Sequence, residues 1–132
     1  DECEKWYDKE IEVRSAKGYD NQFDVILKDK YVNGPGGARC TLILKKRVRQ
    51  KIEREMDYDN QVFGFEYSKK EINRAMRFIE QYPDSKPLFP LIEKKMNKAE
   101  SLFFLEKNGI KRPTMYTLGY GNNNCIGCTG IK

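Results

Sequence analysis

The chain predicts an α/β fold built on a parallel sheet, and three observations carry that expectation. Short apolar segments suited to strands alternate with segments whose apolar residues recur at helical spacing. Glycine and proline stand between them as breaks. With 132 residues, 39% hydrophobic and 34% charged, the chain can bury a modest core and is too apolar for a disordered polymer. One domain over residues 1–132 is expected, with no internal repeat and no long linker.

The elements follow in order. Residues 1–9 predict the end of a helix with Trp6 as its apolar anchor. Ile11–Val13 predicts a short strand. Asp20 or Asn21 caps a short helix through Phe23, Val25, Ile26 and Leu27. Asn33-Gly-Pro-Gly-Gly37 breaks the chain and is read as a structural turn, since no Lys-Ser/Thr adjoins it. From about Cys40 to Met56, Leu44, Val48, Ile52 and Met56 recur every four residues, a core stripe on a basic helix. Gln61–Tyr67 predicts a buried strand, and Ser68 opens a helix through Ile72, Ala75, Met76 and Ile79 that Pro83 ends. Pro87–Ile92 predicts a short extended segment. Asn97 caps a helix with Leu102, Phe103 and Leu105, and Gly109 stops it. Loop is expected from there to the end.

Charge and cysteine usage narrow the function classes. Twenty-five basic against 20 acidic residues leave a net charge of +5, with much of the excess in Lys45–Arg54. That face is either solvated or attractive to a nucleotide or a nucleic acid. The chain has no histidine, which excludes a His-dependent triad or proton shuttle. No apolar run is long enough to span a bilayer, and no signal-peptide pattern is present, so a cytoplasmic protein without a membrane partner is expected. An opening Asp1 in place of Met implies a fragment or a processed chain. The four cysteines are Cys3, Cys40, Cys125 and Cys128. A C-x-x-C pair in a Gly/Asn-rich turn aims two thiols at one point, which suits a metal ion, an iron–sulfur cluster or redox chemistry.

Three blocks, taken together, carry a family resemblance. The first is Gly64-Phe-Glu-Tyr-Ser-Lys-Lys-Glu71-Ile-Asn-Arg74. The second is Pro90-Leu-Ile-Glu93. The third is Gly109-Ile110, then Pro113, Tyr116, Gly119-Tyr120, four residues, and Cys125-Ile-Gly-Cys128-Thr129. In this order they resemble the phosphoadenosine phosphosulfate reductase family, a branch of the PP-loop nucleotide fold. The resemblance covers most of the chain. It implies a Rossmann-like parallel sheet flanked by helices, incomplete at the N-terminus. No Ser-Gly-Gly-Lys-type phosphate loop stands among the 132 residues, so the isolated chain is expected to lack phosphosulfate reductase activity.

The resemblance also implies a site. Glu71 and Arg74 match the family's nucleotide-binding pair, and Tyr120 would flank a ligand beside the cysteine loop. Each has a plainer role open to it. Ser68 and Glu71 have capping-box spacing, and Tyr120 suits a core. A cation near a helix start is slightly disfavoured by the helix dipole, which makes anion binding the more attractive role for Arg74. In the adenosine phosphosulfate reductase branch a Cys-Cys pair and the later C-x-x-C hold a four-iron cluster. Cys40 matches the first of that pair and Thr41 stands in place of the second. Cys40, Cys125 and Cys128 are thus the expected metal ligands, for a [4Fe-4S] cluster or zinc with a fourth ligand, and Cys3 is expected to lie apart. A metal-free redox pair and inert thiols remain open beside that. The implied function is adenine-nucleotide-linked sulfate reduction or sulfur transfer, with a phosphosulfate or other adenine nucleotide as substrate and a thioredoxin-type reductant. The competing class is a non-catalytic, metal-stabilised module that binds nucleic acid.

Overall fold

A computed structural model describes residues 2–32, 34, 35 and 37–128. Asn33, Gly36 and Thr129 of the motifs above lie outside the described residues. The chain packs as two compact units, one of residues 3–56 and 113–132 with Asp1, the other of residues 57–112 with Glu2. Among the described residues no helix is long and apolar enough to cross a membrane.

The first unit is helical. Helix α1 is Glu2–Tyr7. Trp6 is exposed rather than a buried anchor, and its ring lies 4.7 Å between centroids from the neighbouring Tyr7 ring. The strand expected at Ile11–Val13 does not form. The segment has no regular secondary structure, Val13 is exposed, and the Ile11 amide donates to the Glu4 carboxylate at 3.1 Å. Helix α2, Gln22–Asp29, is capped by Asn21, whose Oδ1 accepts from the Phe23 and Asp24 amides. Val25, in its middle, is completely buried. The Gly37 amide closes a turn on the Gly34 carbonyl at 2.8 Å.

The basic helix forms over residues 39–55 but not as one uniform α-helix. Helix α3, Arg39–Thr41, runs into a π-helical turn, Leu42–Lys46, and then into α4, Arg47–Glu55. The Arg47 amide reaches back five residues to the Leu42 carbonyl. That extra residue moves the seam. Ile43 is the buried residue, and Val48 and Ile52 follow it at steps of five and four. Leu44 of the expected stripe is half-buried like Val48 and Ile52, and the stripe is corrected at Met56, which is exposed where it caps α4 in an extended conformation. A last short helix, α8, Thr114–Thr117, replaces the expected loop and buries Met115. Between α4 and α8 the chain forms the second unit.

That unit is a β–α–β unit. Strand β1, Gln61–Val62, pairs in parallel with β2, Pro87–Leu88, in the register Gln61 to Pro87 and Val62 to Leu88. Helix α5, Lys69–Gln81, crosses between them, followed by a 3-10 turn, Pro83–Ser85. The architecture is α/β in the coarse sense of helices on a small open parallel sheet. The strand expected at 61–67 is much shorter. Its partner begins with Pro87, which has no N–H to donate, and ends where Pro90 opens a helix. The Phe63 amide makes the last cross-strand bond, to the Leu88 carbonyl at 2.9 Å. The segment expected to stay extended through Ile92 turns at Pro90 into α6, Pro90–Glu93.

Aromatic rings fill this unit. Phe63 lies 4.6 Å from Phe78 of α5 and 5.8 Å from Phe89, and Phe65 lies 5.2 Å from Phe89. Such rings contribute beyond their buried area. Phe89 and Ala75 are buried, whereas Met76 and Ile79 are exposed, so α5 packs through Ala75 and Phe78 rather than the expected full stripe. Helix α7, Lys98–Lys107, starts in a full capping box between Asn97 and Glu100, with bonds of 3.0 and 2.7 Å. It ends at Gly109, φ +66°, where the Gly109 and Ile110 amides return to the Glu106 and Leu105 carbonyls.

The two stability determinants separate by size. Phe89→Ala should lower the unfolding free energy by about 3–5 kcal/mol and Asn97→Ala by about 1 kcal/mol, both read from urea unfolding. Equal losses would mean that the ring cluster is not the core of this unit.

Candidate functional site

The start of α5 holds the first pair of candidate residues. The Ser68 hydroxyl accepts from the Glu71 amide at 3.3 Å, which caps the helix. The return half of a capping box is not made. The Ser68 amide donates instead to the Glu66 carbonyl at 2.9 Å, and the Glu71 carboxylate takes Arg74 Nη1 at 3.1 Å. Arg74 also lies over the Phe65 ring, its Cζ 4.4 Å from the centroid. Glu71 is thus an ion-pair partner that turns the guanidinium into place on the ring. The Arg74 side chain stays 59% exposed against 15% for Glu71, so donors of the fork remain open to water. An incoming phosphate or sulfate could take those donors bidentately.

The cysteine loop belongs to the other unit. Helix α8 ends at Gly119, φ +85°, with the Gly119 amide on the Tyr116 carbonyl and the Tyr120 amide on the Met115 carbonyl. This is the same two-bond helix stop seen at Gly109. It gives Gly119-Tyr120 a structural role and leaves the Tyr120 ring 46% exposed beside the loop. Cys125–Cys128 then forms a β-turn, the Cys128 amide donating to the Cys125 carbonyl at 3.1 Å. Gly127 holds φ +71° at the third position, as a type II turn requires.

Two residues outside the expected site hold this turn. Gln22 Nε2 donates to the Ile126 carbonyl at 2.7 Å. The Phe23 ring sits so close to Gly127 that a Cβ there would stand 3.0 Å from it. Both belong to the first turn of α2. Sequence reasoning missed them because the bond spans 104 residues and no local pattern marks it.

Cys40 is held at the other end of the same helix. Its neighbour Arg39 pairs through Nε with Asp29 Oδ2 at 2.6 Å, and Asp29 is the last residue of α2. The hydrogen bond to Asp29, and then its charge, raise the Arg39 pKa above the usual guanidinium value. The stabilising contribution of a raised cation is present below its ordinary range and lost only as pH climbs through the raised value, so Arg39 holds its charge throughout neutral conditions. From Gln22 to Asp29, seven rises separate the two anchors by about 10 Å. Cys125 is exposed, Cys40 and Cys128 are half-buried, and Cys3 is exposed on α1.

Among the described residues no three Cys, Asp or Glu side chains are grouped to hold a metal ion. Cys125 and Cys128 are brought together by their own turn. A groove of about 540 Å³ lies beside Arg39, lined by Asp29, Tyr31, Gly37, Ala38 and Leu42, and Cys40 is not in its wall. On α4, Arg47, Lys51 and Arg54 recur at helical spacing on an exposed face, Lys51 facing Glu55 at 3.6 Å.

No family model, curated protein or solved structure matches the chain.

Arg74→Ala should cost only about 1 kcal/mol of stability, the scale of an exposed ion pair with a ring contact. Urea unfolding measures it. A loss above about 3 kcal/mol would make Arg74 a structural support rather than a residue available to a ligand.

Proposed function

We propose that the chain is a phosphoadenosine phosphosulfate reductase-like domain of Rossmann-like fold, serving adenine-nucleotide-linked sulfate reduction or sulfur transfer. The observation that carries this reading is the β1–α5–β2 unit. Its connection from β1 and the start of α5 carry the Gly64–Arg74 block that resembles the family, and parallel strands with a crossover helix are the building unit of such folds. In open parallel sheets ligands bind beyond the carboxyl ends of the strands. The segment from Phe63 to Ser68 leaves β1 at that end and delivers the start of α5, with Glu71 and Arg74 in its first turns.

On this reading Arg74 exchanges Glu71 for a phosphate or sulfate oxygen, and Phe65 keeps the guanidinium plane oriented meanwhile. Reducing a transferred sulfate to sulfite consumes two electrons, which an external dithiol of the thioredoxin type supplies. The second reading, a non-catalytic nucleic-acid-binding module, is favoured by the exposed Arg47, Lys51 and Arg54 stripe. It requires DNA affinity that falls steeply with salt.

Calorimetry separates the two. Titration of an adenosine phosphosulfate into the chain should give saturable heat. Arg74→Ala should weaken binding by about 1.5–3 kcal/mol, whereas Arg77→Ala, whose Nε donates to the Asn73 carbonyl, should not. No heat with the nucleotide, together with salt-sensitive binding of a DNA duplex, would replace the first reading by the second.

A further inference from the structure

Cys125 and Cys128 share one turn, and that turn is held from outside. A hydrogen-bonded four-residue turn places its first and last Cα atoms within about 7 Å. Disulfides need Cα atoms about 4.4–6.8 Å apart. The Cys125–Cys128 turn, closed by its 3.1 Å amide bond, is thus near bonding geometry before any oxidation. Gln22 on the Ile126 carbonyl and Phe23 against Gly127 keep it so. Two thiols supply half of a tetrahedral shell, and no third Cys, Asp or Glu among the described residues completes it. The two thiols also differ. Cys125 is exposed and Cys128 is half-buried, as suits an attacking and a resolving cysteine.

We propose that Cys125 and Cys128 form a redox-active dithiol that closes to an intramolecular disulfide at the expense of a small disulfide of the glutathione class, without metal and without Cys40. The Cys125 thiolate attacks one sulfur of the small disulfide. A mixed disulfide forms and the first small thiolate leaves. The Cys128 thiolate then attacks the Cys125 sulfur, the Cys125–Cys128 bond forms and the second small thiolate leaves. The two protons of the protein thiols pass to the two leaving thiolates. The protein pair is oxidised by two electrons and the small disulfide is reduced by two. This inference does not rest on the nucleotide reading, since neither step involves Arg74 or a nucleotide.

The test uses the whole chain, reduced and desalted without oxygen, then equilibrated in buffers of graded reduced-to-oxidised glutathione. Acid quenching, maleimide alkylation and intact mass count the free thiols. The expected result is one transition in which two of the four cysteines become protected together, with peptide mapping linking Cys125 to Cys128. Cys40→Ser and Cys3→Ser should leave the transition in place. Cys128→Ser should leave glutathione on Cys125. Gly127→Val, at φ +71° and against Phe23, should favour mixed over internal disulfide at least tenfold, whereas Ile126→Ala, at an exposed position, should not. Circular dichroism checks that the valine variant stays folded. Independent glutathione adducts on Cys125 and Cys128 with no internal link would overturn the proposal. So would stoichiometric zinc or iron, in protein purified without oxygen, that Cys40→Ser releases.

Discussion

Val25, completely buried at the middle of α2, is the point on which the helical unit turns. A helix of eight residues contributes little by propensity alone, so its place is set by what it buries. With Val25 inside, the two ends of α2 become fixed posts. The first turn holds the cysteine loop through Gln22 and Phe23, and the last residue holds the basic helix through Asp29 and Arg39. The same helix therefore holds the Cys125–Cys128 turn at one end and the segment that carries Cys40 at the other.

The other unit depends on rings rather than on one side chain. Two strands of two residues each cannot hold together in water by their ladder. Phe63 and Phe89 follow those strands directly, and Phe78 comes from the crossover helix. Their contact sets the spacing of helix and sheet. It also sets the path from β1 to α5, where Phe65 supports Arg74. Packing and the candidate anion contact thus share neighbouring residues of one segment.

Much of the local structure was legible from residue types. Asn21, Ser68 and Asn97 cap the helices that they were expected to cap, and Gly109 stops the helix it was expected to stop. The stop at Gly119 obeys the same chemistry but had been placed in loop, because four residues leave no visible period. The stripe from Leu44 missed Ile43 for a different reason. A π-helical turn adds one residue to the repeat, and apolar spacing alone does not reveal where it falls. The capping-box spacing of Ser68 and Glu71 was half fulfilled, since Arg74 one turn on competes for the same carboxylate.

By itself the sequence determined the helix ends and the Cys125–Cys128 turn, because each of these rests on bonds that close within a few residues. Only the tertiary structure decided what holds the cysteine turn, how long the strands run and what Arg74 faces. These rest on contacts such as Gln22 to Ile126, 104 residues apart, and Phe63 to Phe89. The entropy of closing such loops is met by burial elsewhere in the unit. No local residue pattern records that exchange.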